Sequence, residues 1–96
     1  MSLVIASHEV KDYDVWRPLF DADNERRTEA GLTNARVYRS AKNANDLWIL
    51  FDCADVSVLE QMANDPEMKE KMEAAGVISE PVWTVLNEAH APVTSN

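Results

Sequence analysis

One seven-residue run, residues 47–53, limits the folds open to this chain more than any other feature. Its sequence, Leu-Trp-Ile-Leu-Phe-Asp-Cys, is the most apolar in the chain. Successive side chains of a strand point to opposite faces, so this run would present apolar side chains on both of its faces. A strand of that kind belongs in the middle of a sheet that is covered on both sides.

Length and charge set the outer limits. The 96 residues are enough for one domain with one modest core, and we expect residues 1–88 to form it and residues 89–96 to form a flexible C-terminal tail. The net charge of -8 argues against nucleic acid and anionic membranes as partners. The only basic cluster, Arg26-Arg27, is typical of a solvated helix face.

Several classes of site are absent from the sequence. Cys53 is the only cysteine, which excludes an intrachain disulfide and cysteine-based metal sites. No histidine pair has metal-ligand spacing, and the two glycines do not form a phosphate-binding loop. No run approaches the ~18 apolar residues of a membrane helix, and the N-terminus lacks a basic signal-peptide region. We therefore expect a cytoplasmic protein with no metal and no cofactor.

Hydrophobic periodicity predicts the order of elements. Strands are expected at 3–10, 32–41, 47–53 and 82–87, and helices at 14–30, 56–64 and 66–75. Asp14, Asp55 and Asp65 are the expected N-caps of the three helices. The first helix carries an apolar stripe, which Asp23 and Arg27 continue at its rim.

This order predicts a ferredoxin-like α+β fold, βαββαβ, with a four-stranded antiparallel sheet of order 4-1-3-2 and helices on one face. We expect the helices to cover Ala35, Val37, Ile49 and Phe51. The other face would then expose a contiguous, largely apolar patch of a kind that soluble monomers seldom tolerate. We therefore expect a homodimer that packs sheet against sheet and closes a barrel. The exposed patch would comprise Arg36, Tyr38, Trp48, Leu50 and Asp52.

The segment Asp-Tyr-Asp-Val-Trp-Arg-Pro-Leu-Phe-Asp (12–21), the Ala-Gly that ends the following Arg-containing helix, and Ala-Gly-Val (75–77) before Pro81 carry a family resemblance. Across residues 4–86 the chain resembles small bacterial proteins of the dimeric α+β barrel superfamily, including the antibiotic-biosynthesis-monooxygenase-like and stress-responsive barrel groups. The resemblance implies a site inside the barrel or between sheet and helices. It also implies that any enzymatic activity would be monooxygenase- or isomerase-like and independent of cofactors.

The monooxygenase branch is associated with Trp, Asn, Arg, Tyr and His side chains around its site. The chain contains these types, and with Asp52 they give the candidate residues. Arg36 and Asp52 would be neighbours if Ser40 pairs with Trp48 and Tyr38 with Leu50, forming either a structural ion pair or an anchor for an anion or carbonyl. The candidates for substrate binding are Arg36, Tyr38, Trp48, Asp52 and Trp83, with Asn34 sharing the residue types of that branch.

His8 is the candidate catalytic residue, as a general base that titrates near neutrality. It would share the barrel face with Trp48 if Leu3 and Ile5 point toward the helices. The alternative is a histidine that is hydrogen-bonded to backbone and has no chemical role.

Two functions follow from these observations. The first is binding or cofactor-free transformation of a small apolar or aromatic molecule. The alternative is a structural or stress-associated dimer with a filled interior and no substrate. A barrel-dimer interior with ~300 Å3 or more of space would favour the first function, and side chains packed solid across the two-fold axis would favour the alternative.

Overall fold

The computed structural model of the chain describes residues 2–87 and contains four strands and four helices within that range. The expected tail lies outside the described residues. The strands are β1 (Ser2–Glu9), β2 (Leu32–Arg39), β3 (Asp46–Cys53) and β4 (Val82–Asn87). The helices are α1 (Tyr13–Ala22), α2 (Asn24–Glu29), α3 (Ser57–Ala63) and α4 (Pro66–Ala74).

The four strands form one antiparallel sheet in the order β2-β3-β1-β4, which confirms the predicted order. The apolar run lies in β3 between β1 and β2, and β4 lies at an edge, as Pro81 at its start favours. The helices lie on one side of the sheet. The fold is therefore the predicted ferredoxin-like α+β arrangement.

The core lies between this sheet and the helices. Its centre is the helix-facing side of β3, where Leu47, Ile49, Phe51 and Cys53 are buried. Trp16 from α1 packs into the same cluster. Burial of this face against β1, β2 and the helices supplies the main apolar contribution to the stability of the fold.

The first predicted helix is two helices in the structure. The N-cap of α1 is Asp12 rather than Asp14, because the Asp12 carboxylate accepts a hydrogen bond of 3.0 Å from the backbone N–H of Asp14. Pro18 therefore lies inside α1, where it removes one backbone donor. The helical path is interrupted at Asp23, which is both the C-cap of α1 and the N-cap of α2.

The later helices begin near the residues that the sequence indicates. The Asp65 carboxylate accepts a 2.9 Å hydrogen bond from the backbone N–H of Glu67, and Pro66 occupies the first position of α4. The Asp55 carboxylate accepts from both the backbone N–H and the hydroxyl of Ser57 at the start of α3. The side chain of Asp55 therefore stabilises this turn, but the N-cap of α3 is Val56 and not Asp55 as predicted, because the helix begins one residue later, at Ser57.

The β2–β3 hairpin differs from the predicted register. Tyr38 pairs with Trp48, whereas the sequence predicted Leu50, and the register shifts again between Thr33 and Arg36. At this bulge Asn34 adopts a left-handed conformation with φ of 53°. Beyond the bulge the alternation resumes, so Ala35 and Val37 face the helices as predicted, although Ala35 remains exposed there.

The bulge predicts a specific sensitivity at Asn34. Replacing Asn34 with Val should lower the free energy of unfolding by about 1–2 kcal/mol, because a β-branched residue is strained in this conformation. Asn34→Gly should cost less, since glycine adopts it freely. Chemical denaturation of both variants measures the difference. Equal destabilisation by the two substitutions would contradict the backbone explanation.

Candidate functional site

Four of the predicted site residues lie on the sheet face that the helices leave uncovered, which we call the open face. Trp48 and Tyr38 are opposite each other across β3 and β2, and 44% and 57% of their surfaces are exposed. Arg36 and Asp52 lie on the same face, as predicted.

Arg36 and Asp52 do form the predicted contact. The Arg36 Nη2 atom donates to Asp52 Oδ1 at 3.1 Å, and Asn34 Nδ2 donates to the other carboxylate oxygen at 3.1 Å. Both charged side chains are about one-third exposed. Since both oxygens of Asp52 already accept hydrogen bonds from the hairpin, the geometry favours the structural alternative for this pair.

His8 and Trp83 lie on the opposite, helix-facing side of the sheet. His8 is paired with buried Leu47, and Trp83 with buried Ala6. Ile5 falls on the open face, so the condition for placing His8 beside Trp48 is not met. The structure therefore separates His8 and Trp83 from the four residues of the open face.

A cavity of about 330 Å3 lies between the sheet and the helices, and we call it the helix–sheet cavity. It is predominantly apolar, and its walls come from β1, β3, β4, α1, α2 and α4. Its size and composition are those of a small-molecule site. Prominent lining residues are His8, Trp16, Phe20, Arg27, Phe51 and Trp83.

His8 is the polar group at one part of this cavity. Only 7% of its surface is exposed, and neither ring nitrogen has a hydrogen-bond partner among residues 2–87. Burial lowers the pKa of His8 below its usual value, and the charge of Asp46 opposes this shift only in part. A neutral imidazole offers one donor and one acceptor, so His8 can hydrogen-bond a ligand or accept its proton.

Arg27 of α2 is a second polar group in the cavity wall. It is 6% exposed, and its Nε atom has no hydrogen-bond acceptor within the described range. Its guanidinium lies 3.7 Å from the centroid of the Phe20 ring. Burial lowers the pKa of Arg27, while Asp23 and Asp21 act in the opposite direction.

Sequence reasoning placed Arg27 on a solvated face and so missed this residue. One signal was available, because Arg27 continues the apolar stripe of the first helical segment. A charged residue at the rim of such a stripe usually keeps its head group in water. The sequence could not show that α2 turns the Arg27 side chain inward.

Aromatic rings connect the two polar groups along one wall. The His8 and Trp16 rings are 5.9 Å apart in an edge contact, and Trp16 stacks on Phe20 at 4.5 Å. The guanidinium of Arg27 lies over the other end of this series. The indole of Trp16 and the phenyl ring of Phe20 therefore lie between the imidazole of His8 and the guanidinium of Arg27.

Other kinds of site find no support in the described part of the chain. No cluster of three or more His, Cys, Asp or Glu side chains in residues 2–87 could hold a metal ion. Cys53 is buried and its thiol contacts the backbone carbonyl of Asp55 at 3.3 Å. Among the helices described, none is long and apolar enough to cross a membrane.

Solved structures share this architecture. An antibiotic biosynthesis monooxygenase superposes with a TM-score of 0.68 at 14% identity, covering 94% of this chain and 100% of the other. The fold is that of the antibiotic-biosynthesis-monooxygenase-like proteins. A variant of SnoaB, a cofactor-independent oxygenase from Streptomyces nogalater, gives 0.67 at 10% identity and 94% coverage of both chains. A conserved protein from Methanosarcina mazei Go1 gives 0.65 at 21% identity and 91% coverage of both.

The sequence comparisons add nothing to this fold assignment. No protein-family model matches the chain, and no curated protein is significantly similar to it. The likeness is therefore one of fold, and it confirms the architectural part of the resemblance noted in the sequence.

The burial of His8 predicts a pH dependence of stability. Its pKa is lower in the folded chain, so the unfolded chain binds a proton at pH values where folded His8 does not. The stability due to neutral His8 is complete above about pH 6.5 and is lost as the pH falls toward the folded-state pKa. His8→Gln should therefore show a shallower fall in the free energy of unfolding between pH 6.5 and 5.

Denaturant titrations at several pH values measure this slope. The same titrations with His90→Gln separate the contributions of the two histidines. Identical slopes for the wild-type protein and His8→Gln would show that His8 does not titrate differently on folding.

Proposed function

We propose that this protein binds a small aromatic molecule in the helix–sheet cavity and oxidises it without a cofactor. The observation that carries the proposal is the buried imidazole of His8, which lines an apolar cavity with both ring nitrogens free of partners among residues 2–87. Unpaired polar groups in such a setting are costly, and a ligand hydroxyl would satisfy one of the two ring nitrogens.

The chemistry suited to this site begins with proton transfer. Neutral His8 would accept the proton of an acidic ring hydroxyl, leaving an electron-rich ring that molecular oxygen can attack. A ring CH2 group would become a carbonyl, with the second oxygen atom leaving as water, so that the substrate itself supplies all four electrons. The cofactor-independent oxygenase SnoaB has the same fold, which supports this class of reaction.

The space available to a ligand lies elsewhere than the sequence predicted. The expected volume of ~300 Å3 concerned the interior of the barrel dimer, whereas the cavity of about 330 Å3 lies beneath the helices of one chain. Ligand binding in the helix–sheet cavity is therefore the function that the geometry favours.

Tryptophan substitutions test which face binds the ligand. Trp83 lines the helix–sheet cavity and Trp48 lies on the open face, so Trp83→Phe and Trp48→Phe form a matched pair. With polyphenols that carry a ring CH2 group as probes, Trp83→Phe should weaken binding about tenfold and Trp48→Phe should leave it nearly unchanged. Isothermal calorimetry measures the affinities, and an oxygen electrode measures turnover without added metal.

A binding loss confined to Trp48→Phe would move the site to the open face. Failure of all the polyphenols to bind would favour the structural alternative. Oxygen uptake by His8→Phe at the wild-type rate would remove His8 from the reaction.

We further propose that the open face is covered by a second copy of the chain. Trp48, Tyr38, Val82 and Leu86 are all exposed there, the last two by 59% and 47%. Residues 2–87 of a single chain leave these neighbouring apolar side chains exposed, at a cost of roughly 25 cal/mol per Å2. The antiparallel sheets of two copies could cover each other around a two-fold axis.

The dimer proposal predicts a mass of about two chains by light scattering at micromolar concentration. Trp48→Glu should shift this mass toward one chain, because it places a charge in the proposed interface. Val15→Glu, at a 52% exposed position of α1, is the matched control and should leave the mass unchanged. A single-chain mass for the wild-type protein would contradict the proposal.

A further inference from the structure

We infer that the ligand of the helix–sheet cavity is a planar aromatic carboxylate, whose carboxylate pairs with Arg27 and whose far end carries a hydroxyl for His8. This inference rests on the proposed function and adds the chemical class of the ligand. It stands on the charge of Arg27, on its lack of a counter-ion and on the series of rings that joins it to His8.

The carboxylates near Arg27 are already paired with other cations. Asp23 accepts from Lys71 at 3.1 Å and lies 3.4 Å from Arg26 Nε. Asp21 pairs with Arg17 at 3.0 Å. Within residues 2–87 no carboxylate lies within 4.0 Å of Arg27 as an ion-pair partner.

An unpaired buried guanidinium is a costly group. The free-energy cost of moving a charge out of water is offset only when the charge has good electrostatic partners. Removing such a partner is strongly destabilising. The ring of Phe20 faces the guanidinium and offsets part of this cost. Stacking uses the face of the guanidinium, however, and leaves the N–H groups at its edge available.

The N–H groups at the edge of the Arg27 guanidinium indicate which kind of partner this side chain lacks. Arginine presents its N–H groups in a planar fork that matches the two oxygens of a carboxylate. Its Nε atom is buried and has no acceptor in the described structure, so this donor is not committed to another part of the chain. The net charge of -8 repels anions at long range, so attraction for a carboxylate must come from cations at the cavity, where Arg27 is the one without an ion-pair partner among residues 2–87 and Lys71 is paired with Asp23.

The rings between the two polar groups indicate an aromatic ligand. Trp16 stacks on one face of Phe20 and the Arg27 guanidinium lies over the other, so a ligand in the cavity meets this series at the ring edges. A rigid aromatic ligand can make edge-to-face contacts there with little loss of conformational entropy. Its two polar ends would then meet the guanidinium and the imidazole.

Three related probes test the inference by calorimetry on the full-length protein. They are 4-hydroxycinnamate, its methyl ester, which lacks the negative charge, and cinnamate, which lacks the hydroxyl. We expect the ester to bind the wild-type protein roughly ten- to hundred-fold more weakly than the acid, as loss of a charge-assisted hydrogen bond requires. Cinnamate should lose about threefold to tenfold, as loss of a neutral hydrogen bond requires.

Substitutions then assign the two effects. Arg27→Met should abolish the preference for acid over ester, and Arg27→Lys should retain part of it, because lysine keeps the charge but not the fork. Arg17→Met is the matched control, since Arg17 is exposed and does not line the helix–sheet cavity. His8→Phe should abolish the preference for 4-hydroxycinnamate over cinnamate.

The outcomes separate this inference from the proposed function. If acid and ester bind the wild-type protein equally well, the carboxylate assignment is overturned and the aromatic site stands. If the preference survives in Arg27→Met, the carboxylate binds elsewhere and the inference is also overturned. If none of the three probes binds, both proposals fail. The comparison of acid with ester in the wild-type protein decides the point even where a variant does not fold.

Discussion

Burial of the helix-facing side of β3 is the interaction on which the rest of this structure depends. Leu47, Ile49 and Phe51 are almost fully excluded from water, and β1, β2 and the helices are arranged around them. The same strand places Trp48 and Leu50 on its other side, where residues 2–87 supply no second layer. One strand therefore creates both the core of the fold and the apolar face that a second copy is proposed to cover.

The two sides of the sheet have different chemical characters. On the open face, Arg36, Asn34 and Asp52 satisfy one another, and the remaining side chains there are mainly apolar. Beneath the helices, His8 and Arg27 are buried without polar partners among the described residues. Satisfied groups favour packing, whereas unsatisfied groups favour a ligand, so the candidate site belongs to the helix side.

The sequence predicted the element order, the central strand, the sheet order and the Asp65-Pro66 start of α4, because these depend on local periodicity and capping. It could not choose the inward face of β1, where one face carries Leu3 and Ile5 and the other Val4 and Ala6. That choice moved His8 to the helix side. The bulge at Asn34 and the break at Asp23 could not be predicted from the sequence either, since both depend on backbone conformations that tertiary packing selects.

The position of Arg27 links the break in the helix to the proposed chemistry. A continuous first helix would keep one axis through the charged residues that follow Asp23. The interruption at Asp23 instead starts a separate six-residue helix, α2, which packs against β2 and buries Arg27. Asp23 then pairs with Lys71 and Arg26 and forms no ion pair with Arg27. Burying this cation lowers the stability of the empty protein, and an anionic ligand that recovers the cost would bind more tightly for that reason.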